Sequence, residues 1–76
     1  MEFKEIDYIL TIAECGSLSK AADKLLMTQP SLSQFLQQFE AQLGCQLFLR
    51  TPRGVVPTVA GKAFIDDAVM IQRLRS

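Results

Sequence analysis

The sequence predicts a mainly α-helical domain: three packed helices, a short β-hairpin and a long final helix within 76 residues. Three observations predict this. Apolar residues recur at helical spacing in four stretches. Glycine, proline and hydroxyl residues fall where helices of those lengths should start and stop. The segment Arg50 to Thr58 (RTPRGVVPT) has the turn chemistry of a tight hairpin. A chain of this length makes one domain, close to the lower limit at which a single core holds without staples. Its apolar content of 49% is enough for a core and too high for a disordered chain.

Helix one is expected over about Glu2 to Cys15. Phe3, Ile6, Ile9, Leu10 and Ala13 share one face, with Glu2, Lys4, Glu5, Asp7 and Glu14 on the other. Gly16 can take the left-handed conformation that ends a helix, and Ser17 is placed to cap the next. Helix two is expected over about Leu18 to Leu26, burying Leu18, Ala21, Ala22, Leu25 and Leu26. Met27 starts a turn of about four residues, and Thr28 caps helix three. Pro30 falls in its first turn, where a missing N–H costs little. Helix three runs to about Leu43, with Leu32, Leu36, Phe39 and Leu43 on one face, and Gly44 stops it. Gln46 to Leu49 and Val55 to Pro57 are expected strands around the turn Thr51-Pro52-Arg53-Gly54. Thr58 caps a fourth helix that reaches the end of the chain. Its stripe of Ala60, Ala63, Phe64, Ala68, Ile71 and Leu74 is longer than one small domain needs, which points to a partner helix. The pattern stops in mid-stripe at Arg75-Ser76, as if a longer chain continued.

Helices two and three, with the short turn between them, have the pattern of a helix-turn-helix, and the basic hairpin makes the unit winged. The formal net charge is zero, but its distribution is uneven. Residues 1–17 carry one Lys against four acids, a balance of −3, whereas residues 18–62 carry five bases against two acids, a balance of +3. Neutralising phosphates requires positive charge on one face only. The face of helix three opposite Leu32, Leu36 and Phe39 offers Thr28, Gln29, Ser31, Ser33 and Gln34, with Gln37 and Gln38 one turn on. Gln bonds bidentately to adenine N6 and N7, and Ser both donates and accepts. The free N–H groups of the helix N-terminus favour a phosphate. Arg53, beside Gly54 at the hairpin tip, suits a narrow minor groove. Arg50 and Thr51, nearer the hairpin base, suit phosphates. Lys20 and Lys24 on helix two either flank the DNA backbone or are ordinary surface charges.

Other chemistry is poorly supported. No apolar run approaches the roughly 20 residues of a membrane span, and the first residues lack the basic start of a signal peptide, which implies a cytoplasmic protein. There is no His, which removes the usual zinc and general-base arrangements. Cys15 and Cys45 form no CxxC pair and are expected to be small buried apolar residues, with a redox-sensing pair as the alternative. No nucleophile–base pair or glycine-rich phosphate loop supports an enzyme.

The run AADKLLMTQPSLSQFLQQFEAQLGCQLFLRTPRGVVPTVAG resembles the N-terminal DNA-binding domain of LysR-type transcriptional regulators. The matching residues are Ala21-Ala22, Leu25, Gln29 to Ser33, Phe39-Glu40, Leu43-Gly44, Gln46 to Phe48, Arg50, Arg53, Thr58 and Ala60-Gly61. Ala13-Glu14 and Gly16-Ser17 also fit. The resemblance implies a winged helix-turn-helix over residues 1–58, then a linker helix over residues 59–76 that pairs antiparallel with a second copy. It implies homodimers, tetramers of the full-length protein, and binding of double-stranded DNA at interrupted inverted repeats near promoters in a bacterial cytoplasm. It also implies a C-terminal domain for a small co-inducer, absent from these residues, and no cofactor within them. Carried over by position, Gln29, Pro30 and Ser33 would meet bases and Arg53 the minor groove, while Thr28, Ser31 and Arg50 would hold phosphates; read from the residues themselves, Gln34 is a further base contact and Thr51 and Lys20 are further phosphate contacts. Ala60, Ala63, Phe64, Ala68, Ile71 and Leu74 would form the dimer interface.

Two residues depart from the family pattern. Gln34 stands where Arg is frequent. A bidentate Arg–guanine contact contributes about 1–3 kcal/mol of discrimination, so Gln34 should change the preferred bases and lower affinity. Phe35 stands where a polar residue is common, and is expected to pack. The competing reading is a winged-helix module that binds a protein, for which Phe35 would lie exposed in an apolar patch.

Overall fold

The structure, a computed structural model, describes residues 2–75. Met1 and Ser76, the outermost residues of the expected segments 1–58 and 59–76, lie outside the described residues. Elements follow in the order α1 (Phe3–Cys15), α2 (Leu18–Lys24), α3 (Gln29–Leu43), β1 (Phe48–Thr51), β2 (Gly54–Pro57) and α4 (Val59–Arg75). The sheet is one antiparallel hairpin, with Arg50 opposite Val55 and Thr51 opposite Gly54. The fold class expected from the sequence is therefore observed.

The helix starts obey local chemistry. Glu2 opens α1 in a capping box, its N–H donating to the Glu5 carboxylate at 3.0 Å. The Ser17 hydroxyl accepts from Lys20 N–H at 3.2 Å, and Thr28 from Ser31 N–H at 3.3 Å. Thr58 caps α4 through Gly61 N–H at 2.9 Å. Ile9, Ile12, Leu18, Ala21, Ala22, Leu32, Leu36 and Phe39 pack the three helices together. Ile12, outside the stripe read from the sequence, is fully buried, whereas Phe3 is half exposed beneath the Arg75 guanidinium, 4.7 Å from its ring centre.

Helix α2 is shorter than expected. It ends at Lys24, and Leu26, expected in the core, is 94% exposed with φ of 59°. The reason is a Schellman reversal: Leu26 N–H bonds to the Asp23 carbonyl and Met27 N–H to that of Ala22. The left-handed residue of that motif points outward whatever its hydrophobicity. Gly16 and Gly44 occupy the equivalent place after α1 and α3, so Leu26 alone does so with a side chain. Leu43 is also partly exposed rather than buried, at the open end of α3.

Strand β1 starts two residues later than expected because Gln46 and Leu47 bond elsewhere. The Glu40 carboxylate accepts from Leu47 N–H at 2.6 Å and Phe48 N–H at 3.2 Å. Thr58 bonds both carbonyls, its N–H to Leu47 at 2.9 Å and its hydroxyl to Gln46 at 2.6 Å. The hairpin is anchored on its other side by Val55 N–H, which donates to the Gly16 carbonyl at 3.0 Å. Gly54, with φ of 137°, lies so close to that carbonyl that a Cβ would overlap it. Gly61 is pressed against the Leu47 carbonyl in the same way.

Helix α4 packs on α1. Ala68 is buried against Ile6 and Leu10, flanked by Phe64, Ile65 and Val69. Phe64 also meets the Phe39 ring edge-on at 5.6 Å. Ala68 and Phe64, read from the sequence as partner-facing, therefore face inward, because a single stripe does not distinguish a helix's own core from a partner. At its far end Arg75 bonds Asp7 at 2.7 Å.

Two outcomes are expected from this architecture. Leu26→Asn should relieve a left-handed strain of about 1 kcal/mol and raise the thermal midpoint by several degrees. Glu40→Ala should lower the stability measured by urea unfolding by about 2–3 kcal/mol, since it removes the charged acceptor of two amides.

Candidate nucleic-acid interface

Helix α3 presents two faces. Leu32, Leu36 and Phe39 are buried, while Thr28, Pro30, Ser31, Gln34, Gln37 and Gln38 are exposed and Gln29 and Ser33 half-buried. All the residues expected to touch bases on this helix thus lie outside the core. With 15 residues the helix is about 22 Å long, enough to lie along a major groove. Thr28 also donates its hydroxyl proton to Ser31 at 2.8 Å, which orders the first turn.

The hairpin stands beside this helix. Its strand alternation turns Phe48 into the core and Leu49 outward, so Arg50 returns to the side of Phe48. There Arg50 Nη2 donates to the Ser33 hydroxyl at 2.6 Å. A cleft of about 400 Å³ runs between helix and hairpin, lined by Ser33, Gln37, Gln46 and Arg50 over Leu36 and Phe48. Arg53 is exposed at the tip, its N–H held by the Thr51 hydroxyl at 3.2 Å, and that hydroxyl donates to the Gly54 carbonyl at 3.2 Å.

The remaining positive charges divide. Lys20 is exposed in the first turn of α2. Lys24 instead pairs with Glu14 at 2.7 Å, and the hydrogen bond and charge of that carboxylate hold the ammonium above the usual lysine range. Cys15 is half-buried against the core, but Cys45 is exposed, contrary to the expected burial; both are free thiols. Gly44 has just ended α3 there, and the chain crosses the surface before Leu47 re-enters the core. No group of three or more potential metal ligands occurs among the described residues. Among the described residues, no helix is long and apolar enough to cross a membrane.

Phe35 is not a surface patch. Its ring meets Tyr8 edge-on at 5.1 Å and Phe39 at 5.4 Å, extending the core beneath α3. Reading the sequence missed the role of Glu40 and the Ser33–Arg50 bond. A signal for the first existed: an acid near a helix C-terminus opposes the macrodipole and calls for an external donor.

The family described as "Bacterial regulatory helix-turn-helix protein, lysR family" matches residues 3–62. The chain belongs to the LysR family. A LysR-family relative, the HTH-type transcriptional regulator TfdT of Cupriavidus pinatubonensis (strain JMP 134 / LMG 1197), is 43% identical over 68 residues, which cover 90% of this chain and 30% of TfdT. The chain thus spans under a third of that relative's length. Among solved structures, the CbnR_DBD–DNA complex superposes with a TM-score of 0.90 at 40% identity, covering 99% of this chain and 86% of that one. The BenM_DBD/catB site 1 DNA complex gives 0.89 at 38% identity, covering 96% and 82%.

Because Phe35 is only partly buried, Phe35→Ala is expected to cost about 2 kcal/mol in urea unfolding, below the 3–5 kcal/mol typical of fully buried Phe→Ala changes.

Proposed function

We propose that this chain is the DNA-binding part of a bacterial LysR-type transcriptional regulator, reading double-stranded DNA with α3 in the major groove and the hairpin at the minor groove and backbone. The observation that carries the reading is the joining of a polar recognition face to a basic hairpin on one side of the molecule, through Arg50 and Ser33. The structural likeness to two LysR-family domains solved with DNA supports it. In this reading Gln29, Pro30 and Gln34 meet bases, Ser33 lies among them on the same face, and Arg53 enters the minor groove. Thr28, Ser31, Arg50, Thr51 and Lys20 hold phosphates.

Residues 1–58 form the reading unit in this proposal and residues 59–76 the linker helix. A homodimer forms along α4 through Ala60, Ala63, Ile71 and Leu74, joined by Val59 and Met70, which are strongly exposed. The dimer binds an interrupted inverted repeat near a promoter, and the full-length protein assembles as a tetramer in the cytoplasm. A co-inducer would act through a further domain outside these residues. The role is binding rather than catalysis, with no cofactor in this part.

Selection of bound sites from a random duplex pool at near-physiological salt tests the reading. An enriched inverted repeat with A·T-rich ends is expected, and a folded protein that enriches nothing would overturn it. Arg53→Ala should weaken binding to the enriched site by about 1–3 kcal/mol and flatten the salt dependence by roughly one phosphate.

A further inference from the structure

We propose that Ser33 is a positioning residue for Arg50: its hydroxyl holds the wing's guanidinium over the N-terminal half of α3, so that the two side chains act on DNA as one group. This inference rests on the DNA-binding reading above and assigns Ser33 a role other than an independent base contact.

The geometry comes from both elements. Arg50 lies opposite Val55, whose buried side chain marks the inner face of the hairpin, so the strand itself aims Arg50 at α3. Ser33 is half-buried and meets it at 2.6 Å across 17 residues of chain. Ser33 lies one helical turn beyond Gln29 and Pro30, which puts the guanidinium beside the candidate base readers.

The electrostatics give the contact its purpose. Helix α3 carries no Lys or Arg, and its one charged residue, Glu40, is engaged by Leu47 and Phe48. The recognition face therefore lacks a cation of its own, and Arg50 brings one to it from the wing. A guanidinium has five N–H donors, so the bond to Ser33 leaves four for a phosphate or a base edge. Holding the long side chain in place beforehand also removes an ordering cost that binding would otherwise carry.

The experiment is a double-mutant cycle of Ser33→Ala and Arg50→Ala. Binding is measured against salt, both to the duplex enriched in the selection and to a mixed-sequence duplex of equal length. Ser33→Ala is expected to weaken binding roughly three- to tenfold. Arg50→Ala should weaken it at least as much, and the double variant no further than Arg50→Ala alone. The salt slope is the second readout. Arg50→Ala should reduce its magnitude by about 0.9, one phosphate, and Ser33→Ala should move it in the same direction. Ser33→Thr, which keeps the hydroxyl, should restore both affinity and slope. A direct contact from an uncharged serine would leave the slope unchanged, so lost affinity at the wild-type slope overturns the proposal. Additive single effects, or Ser33→Ala binding as tightly as wild type or more tightly, overturn it too. A lowered melting midpoint that Ser33→Thr does not correct would assign Ser33 a purely structural role. Wild-type protein that binds neither duplex defeats the DNA-binding reading itself, independently of the cycle.

Discussion

The constraint on which the rest of the structure depends is the attachment of Leu47 to the end of α3. Glu40 receives the amides of Leu47 and Phe48, Thr58 closes on the Leu47 carbonyl, and Gly61 lies against that same carbonyl. The Leu47 side chain is fully buried. One residue thus fixes three relations: where the wing leaves α3, where α4 begins, and how close α4 comes to the hairpin. The two amides meet a carboxylate rather than a neutral acceptor, which makes the junction stronger than a loop held by neutral bonds. The hairpin, whose two short strands would be marginal alone, becomes rigid enough to aim Arg50 and Arg53.

The charge pattern follows from that placement. Of the acids on and capping α1, Glu2 and Glu5 form the capping box, Glu14 neutralises Lys24, and Asp7 pairs with Arg75. Among the described residues, Lys20, Arg50 and Arg53 remain exposed as positive charges without a carboxylate ion pair. A neutral chain can therefore present a positive face, because most of its carboxylates are engaged in a cap, an ion pair or the wing junction. Glu40 shows the second case. It is the one charge on α3, and its two bonds turn it towards the wing junction.

Element types and order were legible because helical periodicity, caps and turn residues all agree: Ser17, Thr28 and Thr58 cap the helices expected of them. Two of the errors share a physical origin, namely that hydrophobicity does not report what a backbone must do, and a third arises because a stripe does not name its partner. Leu26 continued the apolar spacing of α2, yet the chain has to reverse there, and the reversal turned it to solvent. Gln46 and Leu47 had strand composition, but their backbone groups were already engaged by Glu40 and Thr58. Ala68 and Phe64 belonged to a genuine stripe whose partner is α1 of the same chain. The outward-facing residues of the recognition helix were the easiest to read, because burying Leu32, Leu36 and Phe39 leaves only one face for Gln29, Ser33 and Gln34.

In the proposed reading the same residues divide the labour of recognition between them. Neutral Gln and Ser side chains distinguish bases by hydrogen bonding with little dependence on salt, whereas guanidinium groups supply affinity that salt erodes. In this chain the two kinds of group come from different elements, α3 and the wing, so selectivity and affinity depend on how rigidly one stands beside the other. The Glu40 junction fixes the elements, and the Ser33–Arg50 bond fixes the side chains at their contact. A half-site read with so few cations would be weak by itself. Two copies joined along α4 would make the second half-site contact intramolecular, gaining affinity through effective concentration without any new contact to DNA. In the proposed reading the exposed apolar residues of α4 and the cation-free α3 would be two parts of one design, in which pairing supplies the affinity that α3 lacks.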